Sequence, residues 1–314
     1  MIKYLIKRLA VGLLTLFLVS IVIFLMIHMV PGDPVKVMLG ISAKPEDVAE
    51  LRAVYGLDKP LIVQYYNWIV RIARFDFGNS LTRGDSVKEL IAQRLPRTLV
   101  LSLTSMFVAL IITIPLALLS AKYRGRIVDF VASGLSLTFI STPSFWLGIV
   151  LIIIFSVKLR ILPGSDFTIG TAKGWEYIKL LILPSIATGL YSSSGMTRML
   201  RSEMIDNMYK DYILFAKVKG ANETRVLLFH NLRNSLMATI TVMGLTLGYL
   251  LGGVVIIEIV FSYPGMGKLL TDAVSLRDYP VIQTVSLIFA FFFIVVNIFT
   301  DILYGILDPR ISYQ

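Results

Sequence analysis

Six apolar stretches punctuate this chain, and each is long enough to cross a lipid bilayer as a helix. They run from Leu9 to Val30, Thr98 to Leu119, Phe130 to Val157, Leu180 to Leu200, Leu236 to Val260 and Val281 to Leu307. At 1.5 Å of rise per residue, about 20 residues span a ~30 Å hydrocarbon core. Of the 314 residues, 56% are hydrophobic and 16% charged, where a soluble domain keeps about 25% charged. So much apolar surface cannot be hidden in one water-facing fold of this size, and lipid must be the solvent for much of it. The expected fold is an all-α membrane protein with six transmembrane helices.

The first run follows Lys3, Lys7 and Arg8 and leads into Pro31-Gly32-Asp33-Pro34. Its core exceeds the ~7–15 residues of a secretory h-region, and no small-x-small cleavage site follows, so residues 1–30 read as a retained first span. Residues 31–97 form a mixed loop, too polar to cross the bilayer and too apolar for a disordered linker. Short amphipathic helices are expected there, at Pro45 to Tyr55 and Pro60 to Arg74. Residues 98–314 then carry the other five spans. Pro115, Pro143 and Pro184 are expected to kink their helices, as membrane helices tolerate.

Basic residues set the orientation. With the N-terminus inside, the cytoplasmic segments hold 14 Lys and Arg and the shorter external connections hold 6. The ten in the long first loop count little, because the charge rule acts on short loops. Both termini are therefore expected in the cytoplasm.

On that topology the segment 201–235 is the largest cytoplasmic piece. Apolar residues recur at Ile213, Ala216 and Val218, then at Val226, Leu227 and Leu228, with Gly220 between them as a helix stop. Asn222 is placed to cap a second helix. This is a helix–turn–helix in topology, and DNA binding is disfavoured because both ends run into membrane spans.

Several chemistries are excluded. The chain has no cysteine, so disulfides, thiolate metal sites and Cys nucleophiles are absent. Two histidines, His28 and His230, are too few for a His-based metal site. Lying at the outer edge of the first span and in the cytoplasmic segment, they do not make the intramembrane Ser/His pair of a protease and read as interfacial or structural. The net charge of +10 is dispersed between apolar runs and suits anionic headgroups and topology control rather than nucleic acid. The nearest approach to a phosphate loop, Gly265-Met-Gly-Lys268, has Ser262 where a glycine is required and Leu269 where a magnesium-binding hydroxyl is required. If ATP drives this protein, another subunit binds it.

The remaining candidates lie inside the spans. Gly244, Gly248 and Gly252 recur every four residues, the spacing of a close helix-packing face. The fourth span is diluted by Thr188, Ser192, Ser193, Ser194 and Thr197, which should face other helices or a water-filled path. Ser193 and Glu258 are candidate pathway residues, with interhelical pairing the alternative for Glu258. Asn297 and Asp301 sit one turn apart in the last span, and Asp301 reads as a structural anchor.

Taken in order, many short motifs make the chain resemble the inner-membrane permeases of dipeptide, oligopeptide and nickel ABC importers. They begin with the basic N-terminus, Pro31-Gly32-Asp33-Pro34, Tyr55-Gly-Leu-Asp-Lys-Pro60, Gln64-Tyr65, Asp76-Phe-Gly-Asn-Ser80 and Leu95-Pro-Arg-Thr-Leu99. Pro143-Ser-Phe-Trp146, Leu162-Pro163 and Leu183-Pro-Ser185 follow. The closing part matches best: Asp211-Tyr212, Ala216-Lys-Val-Lys-Gly220, Leu232-Arg-Asn234, Gly252-Gly253, Phe261-Ser-Tyr-Pro-Gly265, Arg277-Asp-Tyr-Pro280 and Asp308-Pro-Arg310. The resemblance implies a type I importer in a bacterial or archaeal cytoplasmic membrane. This permease would pair with a homologous second one, two ATPase subunits holding ATP and Mg would dock beneath, and an extracytoplasmic binding protein would deliver cargo. No cofactor is implied in this chain, which is expected to be a transport subunit rather than an enzyme. By the same resemblance, Asp211, Tyr212, Phe215, Ala216, Lys217, Lys219 and Gly220 belong to a coupling segment that sits in a cleft of the ATPase. Val218 replaces the alanine expected before Lys219.

Two other classes compete. An ion-driven secondary transporter would carry internal repeats and mid-depth ions or broken helices; no repeat is visible, and the conspicuous acids lie near span ends. A membrane-embedded enzyme would need a catalytic cluster that is missing. Peptides are the default cargo of the resemblance, with nickel, glutathione and oligosaccharides as alternatives that the binding protein decides.

Overall fold

The computed structural model describes residues 2–29, 35, 44–164 and 174–307. In chain order its helices are α1 (Ile2–Met29), α2 (Pro45–Tyr55), α3 (Leu61–Ala73), α4 (Val87–Lys122), α5 (Ile127–Ser141) and α6 (Ser144–Leu151), which continues as a π-helical stretch, Ile152–Lys158. Then come α7 (Trp175–Asn207), α8 (Asp211–Val218), the one-turn α9 (Glu223–Arg225), a second π-helical stretch (Val226–Leu232), α10 (Arg233–Gly253), α11 (Val255–Val260), α12 (Met266–Leu276) and α13 (Tyr279–Leu307). Among the described residues the only β-type pairing is an isolated bridge between Asn79 and Ser86. The expectation of an all-α chain holds.

Two compact units emerge, Met1–Thr98 with Pro264–Ile294, and Leu99–Tyr263 with Val295–Gln314. Residues 264–294, expected with the core at 98–314, belong to the first unit instead. The reason is packing: Val87, Leu90 and Ile91 at the start of α4 bury against Met266, Leu269 and Ala273 of α12 and against Val281 and Val285 of α13. The Thr98 hydroxyl accepts the Met266 N–H at 2.8 Å, satisfying a donor that the first turn of a helix leaves open. The short helices of the first loop match their expected places within a residue. Pro45 stands in the first turn of α2, and Gly56 ends it in the left-handed region at φ +67°.

In the second unit α7 is the hub. Leu181, Leu183, Ala187 and Met196 pack with Leu101, Met106 and Ala109 of α4 and with Leu250, Val254 and Ile257 of α10 and α11. Its hydroxyls are buried rather than lipid-facing. Ser185 meets Thr104 at 2.8 Å, and the Thr113 hydroxyl of α4 donates to the Ser193 carbonyl at 3.2 Å. A Cβ at Gly189 would fall 2.7 Å from Val108, so α7 and α4 approach more closely there than any other residue permits.

Length and composition qualify three helices as spans: Ile6–Met29, Val87–Lys122 and Tyr279–Leu303. The expected single span at Phe130 to Val157 is instead a broken pair, α5 and α6 meeting at 100°. Pro143 causes the break: it lacks an N–H, and it drives Thr142 out of the helical region to φ −99°, ψ 122°. By contrast α4 runs through Pro115 and α7 through Pro184. A second pair, Glu223–Met237 and Thr239–Gly252, bends by 56°. The expected fourth span lies within α7, whose polar residues its helical neighbours cover.

Candidate functional site

The segment after α7 folds as two short helices about a glycine. Lys210 is extended, and Asp211 opens α8 with its negative charge against the helix N-terminus. The helix closes as Gly220 N–H bonds the Lys217 carbonyl at 2.9 Å and Ala221 N–H bonds the Ala216 carbonyl at 3.1 Å. That pairing requires the left-handed conformation found at Gly220, φ +80°. Two residues on, the Asn222 side chain accepts the Arg225 N–H at 2.8 Å and caps the next helix. Stop and cap fall where the sequence placed them.

The two faces of α8 differ. Ile213 and Ala216 are buried against Val226 of the π-helical stretch, with Ala221 closing this small core. Leu214, Phe215 and Val218 point outward, Phe215 at 67% and Val218 at 86% exposure. Of the coupling residues that the resemblance implies, Ala216 therefore packs within the chain, and Leu214 and Val218 join Phe215 on the open face. Lys217, Lys219 and Gly220 are exposed beside them. Tyr212 is about a third exposed, and burial pushes its phenol above the ordinary value, while a hydrogen bond with Asn234 pulls the other way.

Behind α8 the chain is tied by buried polar groups. Asn207 at the end of α7 donates to the Ser235 hydroxyl at 2.9 Å, and Asn231 donates to the Met204 carbonyl at 2.9 Å. Ser235 bonds the Asn231 side chain at 3.0 Å. One turn before Met204, Arg201 grips Asp129 of α5 with two parallel bonds, Nε to Oδ1 at 2.9 Å and Nη2 to Oδ2 at 2.8 Å. The same carboxylate accepts from the Ser120 hydroxyl of α4 and from the Gly125 N–H. Three helices and a turn thus converge on one charge. Sequence reasoning missed Asp129; its only signal is a lone acid opening an apolar run.

The other candidates disperse. Gly244 is a true close approach, since a Cβ there would lie 2.0 Å from the Thr300 hydroxyl oxygen of α13. Gly248 is buried, but Gly252 is exposed and a Cβ there meets nothing within 4 Å. Close packing within this chain therefore stops short of Gly252. Ser193 and Glu258 are both fully buried, and Ser193 spends its hydroxyl on the Leu190 carbonyl at 2.7 Å; neither opens on a surface of this chain. His28 is structural, bonded to the Phe24 carbonyl at 2.7 Å and to Gln64 at 3.3 Å. Asp308, Pro309 and Arg310 lie outside the described residues.

In the first unit two quoted motifs meet. Asp278 is buried and accepts bonds from the Ser80 hydroxyl, the Leu81 N–H at 3.1 Å and the Thr82 hydroxyl at 2.9 Å. Nearby, Asp76 accepts the Gly78 N–H, which with Arg71 holds its carboxyl below the usual range.

Residues 113–313 match the family model described as binding-protein-dependent transport system inner membrane component, and residues 1–104 match its N-terminal companion. The chain belongs to this family. It is therefore an inner-membrane, multi-pass permease of an ABC importer, as the motif resemblance implied, and it works with a partner permease, ATPase and binding protein. Among its relatives, the glutathione transport system permease protein GsiC of Salmonella choleraesuis (strain SC-B67) is 41% identical over all 314 residues of both chains. GsiC of Escherichia coli (strain K12) is 40% identical over the same length.

Proposed function

We propose that this permease forms, with a homologous second permease, the membrane pathway for small peptides handed over by a binding protein, and that two ATPase subunits drive it by docking on the open face of α8. The observation that carries the docking is the contrast on that helix. Leu214, Phe215 and Val218 leave a contiguous apolar surface outside any membrane-length helix, and such a surface is an interaction site. The rigid ties behind it, through Asn207, Asn231 and Arg201, suit a lever. Closure of the ATPase dimer on ATP would move α8, and α7 would carry that motion into the bundle.

The relatives named for glutathione, a γ-linked tripeptide, support a peptide-like cargo. Six spans follow if each bent pair is one span and α7 is the sixth, shielded by its neighbours. Both termini are then cytoplasmic, in line with the distribution of basic residues, and ATP and Mg belong to the partner subunits.

The chain has no cysteine, so Val218→Cys introduces a unique thiol. In the assembled complex it should cross-link to an ATPase subunit and to no other chain. Absence of that cross-link, with uptake intact, would overturn the docking surface. Proteoliposomes with all subunits should import a labelled tripeptide only with ATP and binding protein; import without ATPase would favour an ion-driven carrier.

A further inference from the structure

In the first unit the end of α1 and the α12–α13 junction enclose a groove of about 250 Å³. Ile23, Met26 and Ile27 form one wall, Val274 and Ile282 another, and Arg277 stands among them as the one cationic lining residue. Among the described residues no carboxylate forms an ion pair with Arg277. The depth of the groove is marked by the ends of two spans. The apolar span of α1 ends at Met29 and that of α13 begins at Tyr279, which puts Arg277 just past the hydrocarbon edge. Beside it, Phe24 and His28 pack at 4.2 Å, Phe24 and Tyr65 at 5.4 Å, and His28 and Tyr279 at 5.9 Å between ring centroids. Trp68 joins the cluster. The Tyr65 hydroxyl reaches back to Ser20 at 2.9 Å, so the cluster fixes the outer half of α1 beside the groove.

We propose that this groove holds a phospholipid, its upper acyl chain against Ile23, Met26 and Ile282 and its phosphate on the Arg277 guanidinium. The chemistry fits end for end: apolar walls on the hydrocarbon side, and at the polar side a cation that no carboxylate among the described residues pairs. A guanidinium matches a phosphate as a planar fork. An apolar helix of the partner permease would fill the walls but bury that charge without a counter-ion, which is costly. An anionic headgroup is preferred over a zwitterionic one, whose own ammonium competes for the phosphate.

The test uses the assembled complex in nanodiscs of phosphatidylglycerol and phosphatidylethanolamine, released for native mass spectrometry. Wild type should retain one phosphatidylglycerol per copy of this chain. Arg277→Gln should lower retention about fivefold, the equivalent of the ~1 kcal/mol one basic residue contributes at an anionic surface. Met26→Trp fills the groove from the lipid-exposed side of α1 and should displace the lipid with Arg277 still present. Equal retention in all three proteins, or no preference for phosphatidylglycerol, would overturn the proposal. So would a Met26→Cys cross-link to the second permease.

Discussion

The two faces of α8 carry similar residues to opposite ends. Inward, Ile213 and Ala216 close a small core with Val226; outward, Leu214, Phe215 and Val218 stand in the open. The inner face belongs to the fold and its loss should cost stability. The outer face is largely exposed in the isolated chain, and its loss should cost coupling far more than stability. An eight-residue helix is too short to be stable by itself, so the inner face and the ties behind it are what hold the outer face in place.

The largest expected effect comes from undermining that support. Arg201→Ala leaves the buried Asp129 carboxylate without its cation, at a cost of ~3 kcal/mol. A lowered apparent melting temperature of the purified complex should report it, while a paired Asp129→Leu, Arg201→Met variant should recover most of the loss. If Arg201→Ala melts with wild type, the pair is not what anchors α7 to α5. Next comes Ile213→Ala, a cavity-forming change worth about 2–3 kcal/mol. Here limited proteolysis between Lys210 and Arg225 is the sharper readout, because α8 should come loose before the bundle melts. A protected segment would show that the inner face is dispensable.

The helix–turn–helix was legible because its signals are local. Gly220 supplies the left-handed stop, and Asn222 accepts a hydrogen bond three residues away. The facing of α8 was not legible. With apolar residues at 213, 214, 215, 216 and 218, both sides read as apolar, and only the position of Val226 decides which is covered. The charge clusters were hidden for a different reason. Arg201 and Asp129 are 72 residues apart and Ser80 and Asp278 are 198 apart, so no spacing along the chain foretells them. Membrane placement was readable for α1, α4 and α13, where lipid is the neighbour. It was blurred in α7, where protein replaces lipid and Ser and Thr become tolerable, and at Pro143, where a kink was foreseen but not a 100° turn.

A smaller effect tests the turn that aims the outer face. A Cβ added at Gly220 meets nothing within 4 Å, so the penalty at that atom is conformational rather than steric. Gly220→Val should cost ~1–2 kcal/mol in the left-handed region and re-aim α8, uncoupling ATP hydrolysis from uptake in a complex that still assembles. Gly220→Asn, which tolerates that region, should retain most uptake. If valine and asparagine behave alike, steric contact with a partner rather than backbone geometry governs the position.

The smallest effect on stability should accompany the largest effect on transport. Phe215→Ser removes a ring that is 67% exposed, and surface changes of that kind stay within about 0.5 kcal/mol. Its melting and proteolysis should match wild type. Yet the ring is the aromatic side chain beside Leu214 and Val218 on the open face, and an interface concentrates its energy in a few aromatic anchors. Co-purification of the ATPase should weaken and tripeptide uptake should fall about tenfold or more, the consequence of losing ~1.4 kcal/mol or more at the docking surface. Ala216→Ser, one residue away on the covered face, is the control: it should leave docking untouched. If it instead lowers uptake without altering melting, while Phe215→Ser does not, the two faces have been assigned the wrong way round.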